Sequence, residues 1–295
     1  LSQDPTASEP PPGRPIVWIL IAALAFATMG ALTHGMGSRT DWLVIALARS
    51  LIMLTSSLIQ ARAGGVRLIV LAPRTLWIRS LAGSFSMVCN FYALSRLPVA
   101  DAVLLSNVHP IWIVLISGLA LGRRPSVGEI LGMTCGIVGI ALIEPPKLAS
   151  DQLAVTAALL ASVSTAVAML GLHRLRYLET TTIVAHFAGV ASVTAVTWLL
   201  IRAEAIPEST FTPGTLSLLL AIGLSGTLGQ FALTRAYASG APTQVAIAGL
   251  TQVVFAMGYD IAFWGRSPTA MTLLGFALVL APTTWLAMRS ARGRS

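Results

Sequence analysis

Apolar residues recur along this chain in blocks of about 20 residues, long enough to cross a bilayer as helix. They run from IVWILIAALAFATMGAL at 16–32 to TLLGFALVLAPTTWLAM at 272–288. A helix of about 20 residues rises roughly 30 Å, the thickness of the hydrocarbon core. Lipid offers the backbone no hydrogen-bond partner, so a spanning segment must be a helix or a strand of a closed barrel. Barrel strands show short alternating segments, and these blocks are continuously apolar. Only 10% of the 295 residues are charged, against about 25% in soluble domains. The chain reads as an all-α membrane protein.

Ten spans are expected, at about 15–36, 41–61, 75–97, 99–121, 126–145, 151–172, 179–201, 213–236, 242–264 and 268–288. The polar, Pro-rich residues 1–14 read as a disordered leader. The connections are short and leave no room for a soluble domain. The net charge of +8 belongs to these connections, not to a nucleic-acid surface. With both termini on the cytoplasmic side, 12 cations fall inside, including Arg62, Arg67, Arg123 and Arg124. The outer loops then hold Arg39, Arg96, Lys147, Arg202 and Arg266. This asymmetry orients the chain. Arg49 and Arg79 remain, inside or near the edge of spans. Cys89 and Cys135 fall inside apolar blocks and read as small buried hydrophobes.

The halves look related. GRRPS at 122–126 opens the fifth span and GRSPT at 265–269 opens the tenth. Pro98 begins PVADA and Pro242 begins PTQVA, each at the start of the preceding span. A five-span repeat has an odd number of crossings, so the second copy must be inverted. The expected division is 15–148 and 149–290, with 291–295 as a cytoplasmic tail. Inverted repeats are the architecture behind alternating access.

The stretch FYALSRLPVADAVLLSNVHPIW, from residue 91, resembles the first repeat of EamA-type carriers of the drug/metabolite transporter superfamily. GQFALTRAYASGAPTQVAIAGL, from residue 229, is similar to their second repeat. The resemblance implies ten helices around a central cavity lined by both halves, with the last helix of each repeat peripheral. It also implies export of amino acids or related metabolites from a bacterial inner membrane. One departure stands out: where the family often has Gly-Glu before the fifth and tenth spans, this chain has Arg123 and Arg266.

An unpaired polar group in lipid costs several kcal/mol, so intramembrane polar residues must face a cavity or each other. The fourth span carries Ser106, Asn107, His109 and Pro110. Pro110 has no N–H for the Ser106 carbonyl, so a kink or a polar substitute partner is expected there. Pro110 is thus the candidate hinge, and His109 the candidate for proton coupling. Arg49 lies near mid-depth in the second span. It reads either as a counter-charge for a substrate carboxylate or as a structural group bonded to carbonyls or Asp101. Asn90 and Tyr92 in the third span and Gln230 in the eighth are candidate wall residues, with Asn90 and Gln230 as counterparts across the pseudo-axis. Gln244, Gln252 and Tyr259 share one face of the ninth span, a candidate cavity wall. The small-residue sixth span suits close packing, with Ser164 and Met169 as contacts. Trp112, deeper than the other tryptophans, is placed to stack on a substrate ring.

No P-loop, HExxH or GxSxG sequence occurs, and no cofactor, metal or enzymatic chemistry is implied. The expected partners are a small-molecule substrate and the bilayer, with the chain a monomer or weak dimer. The leading expectation is export of amino acids, aromatic or otherwise hydrophobic. A second is uptake of anionic metabolites read by Arg49. A third, of another class, is a non-transporting receptor or assembly subunit with a closed, dry core.

Overall fold

A computed structural model describes residues 15–36, 39–68, 71–97, 99–121, 125–143, 145, 151–203 and 206–292. The expected leader 1–14 lies outside these, as do Arg123, Arg124 and Lys147. Among the described residues there is no strand. The helices are α1 Pro15–Met36, α2 Trp42–Ala63, α3 Arg74–Arg96, α4 Val99–Ser106, α5 His109–Leu121 and α6 Val127–Ile143. The second half follows with α7 Gln152–Arg174, α8 Thr180–Arg202, α9 Pro213–Ser239, α10 Pro242–Gly249, α11 Thr251–Trp264 and α12 Ala270–Arg292. Each expected span has its counterpart, but two are broken. The fourth divides into α4 and α5. The ninth divides into α10 and α11, so the continuous 242–264 helix expected from hydropathy is corrected. At the C-terminus α12 absorbs residues 291 and 292 of the expected tail; residues 293–295 lie outside the described set.

Among the described residues, seven segments are long and apolar enough to cross a membrane: α1, α2, α7, α8, α9, the α10–α11 stretch and most of α12. The surfaces are those of a lipid-soluble protein. On α9, Leu216, Leu220, Leu224 and Leu228 recur every fourth residue and are exposed. Leu219, Ile222, Gly223, Gly226 and Gly229 face inward. In water this apolar stripe would be a liability; against acyl chains it is the favoured face. α3 is as long as the others but carries Arg79, Ser80, Ser84, Ser86 and Asn90, and is absent from the apolar set.

The packing exchanges when the halves are exchanged. α1 packs along α9, and α7 along α3. α1 also meets α10 and α11, as α7 meets α4 and α5. The equivalents α2 and α8 pack on each other, as do α6 and α12. Both self-paired couples are antiparallel. Arg202 at the end of α8 pairs with Asp41, the N-cap of α2, at 3.2 Å. Gly128 near the start of α6 lies against Trp285 late in α12, while Gly139 meets Gly275. At that last crossing the backbones touch: a Cβ on Gly275 would sit 2.6 Å from the Gly139 carbonyl oxygen.

Helix ends are tied down locally. Ser126 and Glu129 form a reciprocal box at the start of α6: the Ser126 N–H donates to Glu129 Oε2 at 3.0 Å, and the Glu129 N–H to Ser126 Oγ at 3.2 Å. Arg266 pairs with Asp260 at 3.3 Å. It also donates to the Ile143 carbonyl at 3.4 Å, at the C-terminal end of α6. A cation there meets the negative end of the helix dipole, which explains an arginine before the tenth span.

Candidate functional site

The break in the fourth span is built from the residues that sequence singled out. Because Pro110 cannot donate to the Ser106 carbonyl, another donor is required. The His109 ring supplies it, with Nδ1 3.2 Å from the Ser106 oxygen. This is a backbone repair, so the imidazole has a structural task at the break. Asn107 also works on its own helix, its amide donating to the Val103 carbonyl at 2.8 Å. The Ser106 hydroxyl leaves the helix and donates to Asn90 Oδ1 on α3 at 2.9 Å. The broken span and the polar face of α3 are thus joined, and Asn90 and Ser106 are one unit.

Replacing Pro110 by alanine restores an N–H that competes with His109 for Ser106. The expected result is a straighter fourth span in which the residue 110 amide is protected from hydrogen exchange, as an amide bonded within a helix is. Fast exchange at residue 110 would remove Pro110 as the cause of the break.

The ninth span breaks without a proline. The Leu250 N–H reaches back to the Ile247 carbonyl at 3.2 Å, and the Thr251 hydroxyl takes the Ala248 carbonyl at 2.7 Å. The two breaks therefore fall at matching places in the two halves. The break also undoes the expected Gln244–Gln252–Tyr259 stripe, because Gln244 sits on α10 and the other two on α11. Gln252 is exposed just past the break, with no hydrogen bond among the described residues. Tyr259 is bound to Thr28 of α1 at 2.6 Å. Gln230 is 3% exposed and turns its amide to Thr234 on its own helix at 3.5 Å. It shares no hydrogen bond with Asn90 among the described residues.

The expected apolar wall is partly engaged in packing. Trp112 Nε1 donates to Ser162 Oγ of α7 at 3.0 Å. Trp112 and Met169 both lie half-buried against the main core, the cluster that includes Tyr237 and Ile247. Tyr92 packs against Ala93, Leu97 and Ala154, with Arg96 5.6 Å above its ring. Ser164 is half-buried, without a hydrogen bond among the described residues.

The arginines are the outliers. Arg49 lies between α1, α2 and α9, its guanidinium 5.6 Å from the Phe26 ring centre. Gly226 of α9 leaves the room: a Cβ there would sit 2.9 Å from Arg49 Nε. That nitrogen is buried and has no hydrogen-bond partner among the described residues. The Asp101 side chain, the structural partner considered from sequence, lies outside the described residues. No ion pair to Arg49 occurs among the described ones. A second such group was not singled out from sequence. Arg79 is 1% exposed, with Nε and Nη1 both buried and unpartnered. Its guanidinium lies 3.9 Å from the Phe187 ring centre. A signal for it did exist: Arg79, Gly83, Ser86 and Asn90 recur at 4, 3 and 4 residues along α3, one face of a helix. Ser86 on that face binds Thr165 of α7 at 2.6 Å.

Comparisons with known proteins agree with this architecture. Residues 13–144 and 149–288 each match the EamA-like transporter family. The pseudopaline exporter CntI of Pseudomonas aeruginosa is 30% identical over 267 residues, which is 90% of this chain and 93% of the relative. A transporter of Helicobacter pylori is 26% identical over 219 residues, 73% of this chain and 74% of its own. A solved crystal structure superposes with a TM-score of 0.81 at 20% identity, covering 94% of this chain and 98% of that one; this likeness concerns the fold.

Proposed function

Since the chain belongs to the EamA-like transporter family, we propose that it exports a small carboxylate-bearing metabolite, an amino acid or a derivative of one, by alternating access. The observation that carries this reading is Arg49. A half-buried guanidinium in a bilayer-spanning bundle, with Nε enclosed and no counter-charge among the described residues, is costly. A carboxylate arriving with the substrate relieves that cost bidentately. The P. aeruginosa relative, named as an exporter, supports outward movement of a metabolite over the uptake expectation.

In this reading the chain crosses the membrane of a bacterial cell ten times, as two inverted five-helix repeats divided near residue 148. The antiparallel α2–α8 and α6–α12 couples and the two family matches support that layout. The loop cations support cytoplasmic termini. Asn90, Ser106 and Asn107 at the fourth-span break, Gln252 past the ninth-span break and Ser164 orient the polar end of the substrate. Tyr92, Trp112, Met169 and Tyr259 border its apolar part. The paired breaks let the fourth and ninth spans bend in opposite senses as the cavity changes sides. A non-transporting receptor has no such use for an unneutralised charge.

The test is transport by sealed proteoliposomes loaded with a pooled amino-acid mixture, with and without a proton gradient. Each acid is paired with its neutral carboxamide. Carboxylates should move at least about tenfold faster than their amides, a difference of ~1.4 kcal/mol. Equal rates for acid and amide would sink the carboxylate reading. Dependence on the gradient would show proton coupling.

A further inference from the structure

The two unneutralised arginines occupy niches that the exchange of halves maps onto each other. Arg49 is enclosed by α1, α2 and α9, with an aromatic ring from α1 and a glycine from α9. Arg79 is enclosed by α3, α7 and α8, with Phe187 from α8 and Gly171 from α7. A Cβ on Gly171 would sit 2.9 Å from Arg79 Cβ. Exchanging α1, α2 and α9 for their equivalents gives α7, α8 and α3. Each niche, built from helices of both halves, therefore closes one cation beneath a ring and against a glycine.

The niches lie at different depths. Arg202 on α8 marks the level of Asp41 at the start of α2. His186, bonded to Ser80 at 2.8 Å, marks the level of Arg79 on the same α8. Counting residues from these marks along α2 and α8 puts the two arginines roughly 10 Å apart along the membrane normal. Long arginine side chains narrow that gap. Among the described residues no carboxylate pairs with either.

We propose that Arg49 and Arg79 together form a two-point anion site, and that the substrate carries at least two carboxylates, one for each guanidinium. This rests on the carboxylate reading above and narrows it. A monoanion entering between the two would leave one buried cation uncompensated, whereas a dianion neutralises both. The 3.9 Å ring contact of Arg79 holds its guanidinium in place without using its N–H donors. Those donors stay free for a carboxylate.

The experiment uses the full chain, purified in detergent, with α,ω-dicarboxylates from succinate to sebacate. Each is compared with its monomethyl ester and its dimethyl ester. Binding is read from thermal stabilisation, and uptake from radiolabelled probes in proteoliposomes. The expected result is that one chain length of the diacid binds at least tenfold more tightly than its monoester. Arg79→Gln should remove this advantage, so that diacid and monoester bind the variant alike. If Arg79→Gln does not fold, Arg79→Lys carries the test. It keeps the charge but loses the fork, so the diacid advantage should shrink. Equal binding of diacid and monoester by the wild type, or an undiminished advantage in the Arg79 variant, would overturn the proposal. If the monoester still outbinds the dimethyl ester, a single-carboxylate substrate read by Arg49 survives that failure. If no carboxylate is preferred at all, both readings fall.

Discussion

Arg49→Gln should slow transport of the carboxylate substrate about 100-fold, close to ~3 kcal/mol in barrier, and leave transport of its neutral amide unchanged. Truncating one partner of a buried, hydrogen-bonded charge pair costs about 2–5 kcal/mol. Among the described residues Arg49 has no such partner, since its Nε is buried and unbonded. Glutamine keeps donors and fits beside Gly226, so the space is not what is lost. The thermal midpoint of the empty variant should not fall, because removing an uncompensated buried charge is neutral or stabilising. Arg49→Lys should lie between, because an ammonium keeps the charge without the planar fork. Wild-type transport by the glutamine variant would show that Arg49 does not read the substrate. A collapse of its thermal midpoint would show that Arg49 has a structural partner.

The second large effect falls on stability. Gly275→Val should lower the stability of the detergent-purified protein by about 3 kcal/mol or more, the upper end of the usual cost of overpacking. The neighbours of the missing Cβ explain why. They are the Gly139 carbonyl oxygen at 2.6 Å, Ile143 Cγ1 at 2.7 Å and the Ile143 amide nitrogen at 3.2 Å. Two of the three are backbone atoms of α6, and neither can turn aside as a side chain does. Any branched residue must push α6 and α12 apart along their whole contact. Gly258→Ala is the control, with nothing within 4 Å of its missing Cβ. Its midpoint should stay level or rise, as alanine favours helix. A normal midpoint for Gly275→Val would mean that the crossing is looser than these distances.

The long apolar helices were legible because bilayer thickness sets such a length, and no tertiary contact alters that demand. The fourth-span break was legible for a similar reason: Pro110 lacks its donor wherever it is placed. The ninth-span break was not. Leu250 and Thr251 carry no comparable local signal, and the turn there exists because α10 and α11 pack separately, α10 reaching α6 while both meet α1 and α12. Without that break, Gln244, Gln252 and Tyr259 fell on one face of a helix that does not exist. Trp112 misled in another way. Its depth was readable, but its partner Ser162 lies 50 residues on, in the other half. Arg79 was overlooked because it stands five residues into a helix that opens on Arg74, where a cation reads as an interfacial anchor. Its complete burial is a property of α7 and α8, which no local pattern reveals.

The origin of the two charges follows from where they are attached. The helix equivalent to α2 is α8, which supplies to its niche a ring, Phe187, and no cation. The helix equivalent to α3 is α9, which supplies a glycine. If the halves descend from one ancestral five-helix unit, copying that unit did not copy the arginine. Both charges belong to the first half, on α2 and α3, and the second half closes over each of them in the same kind of enclosure.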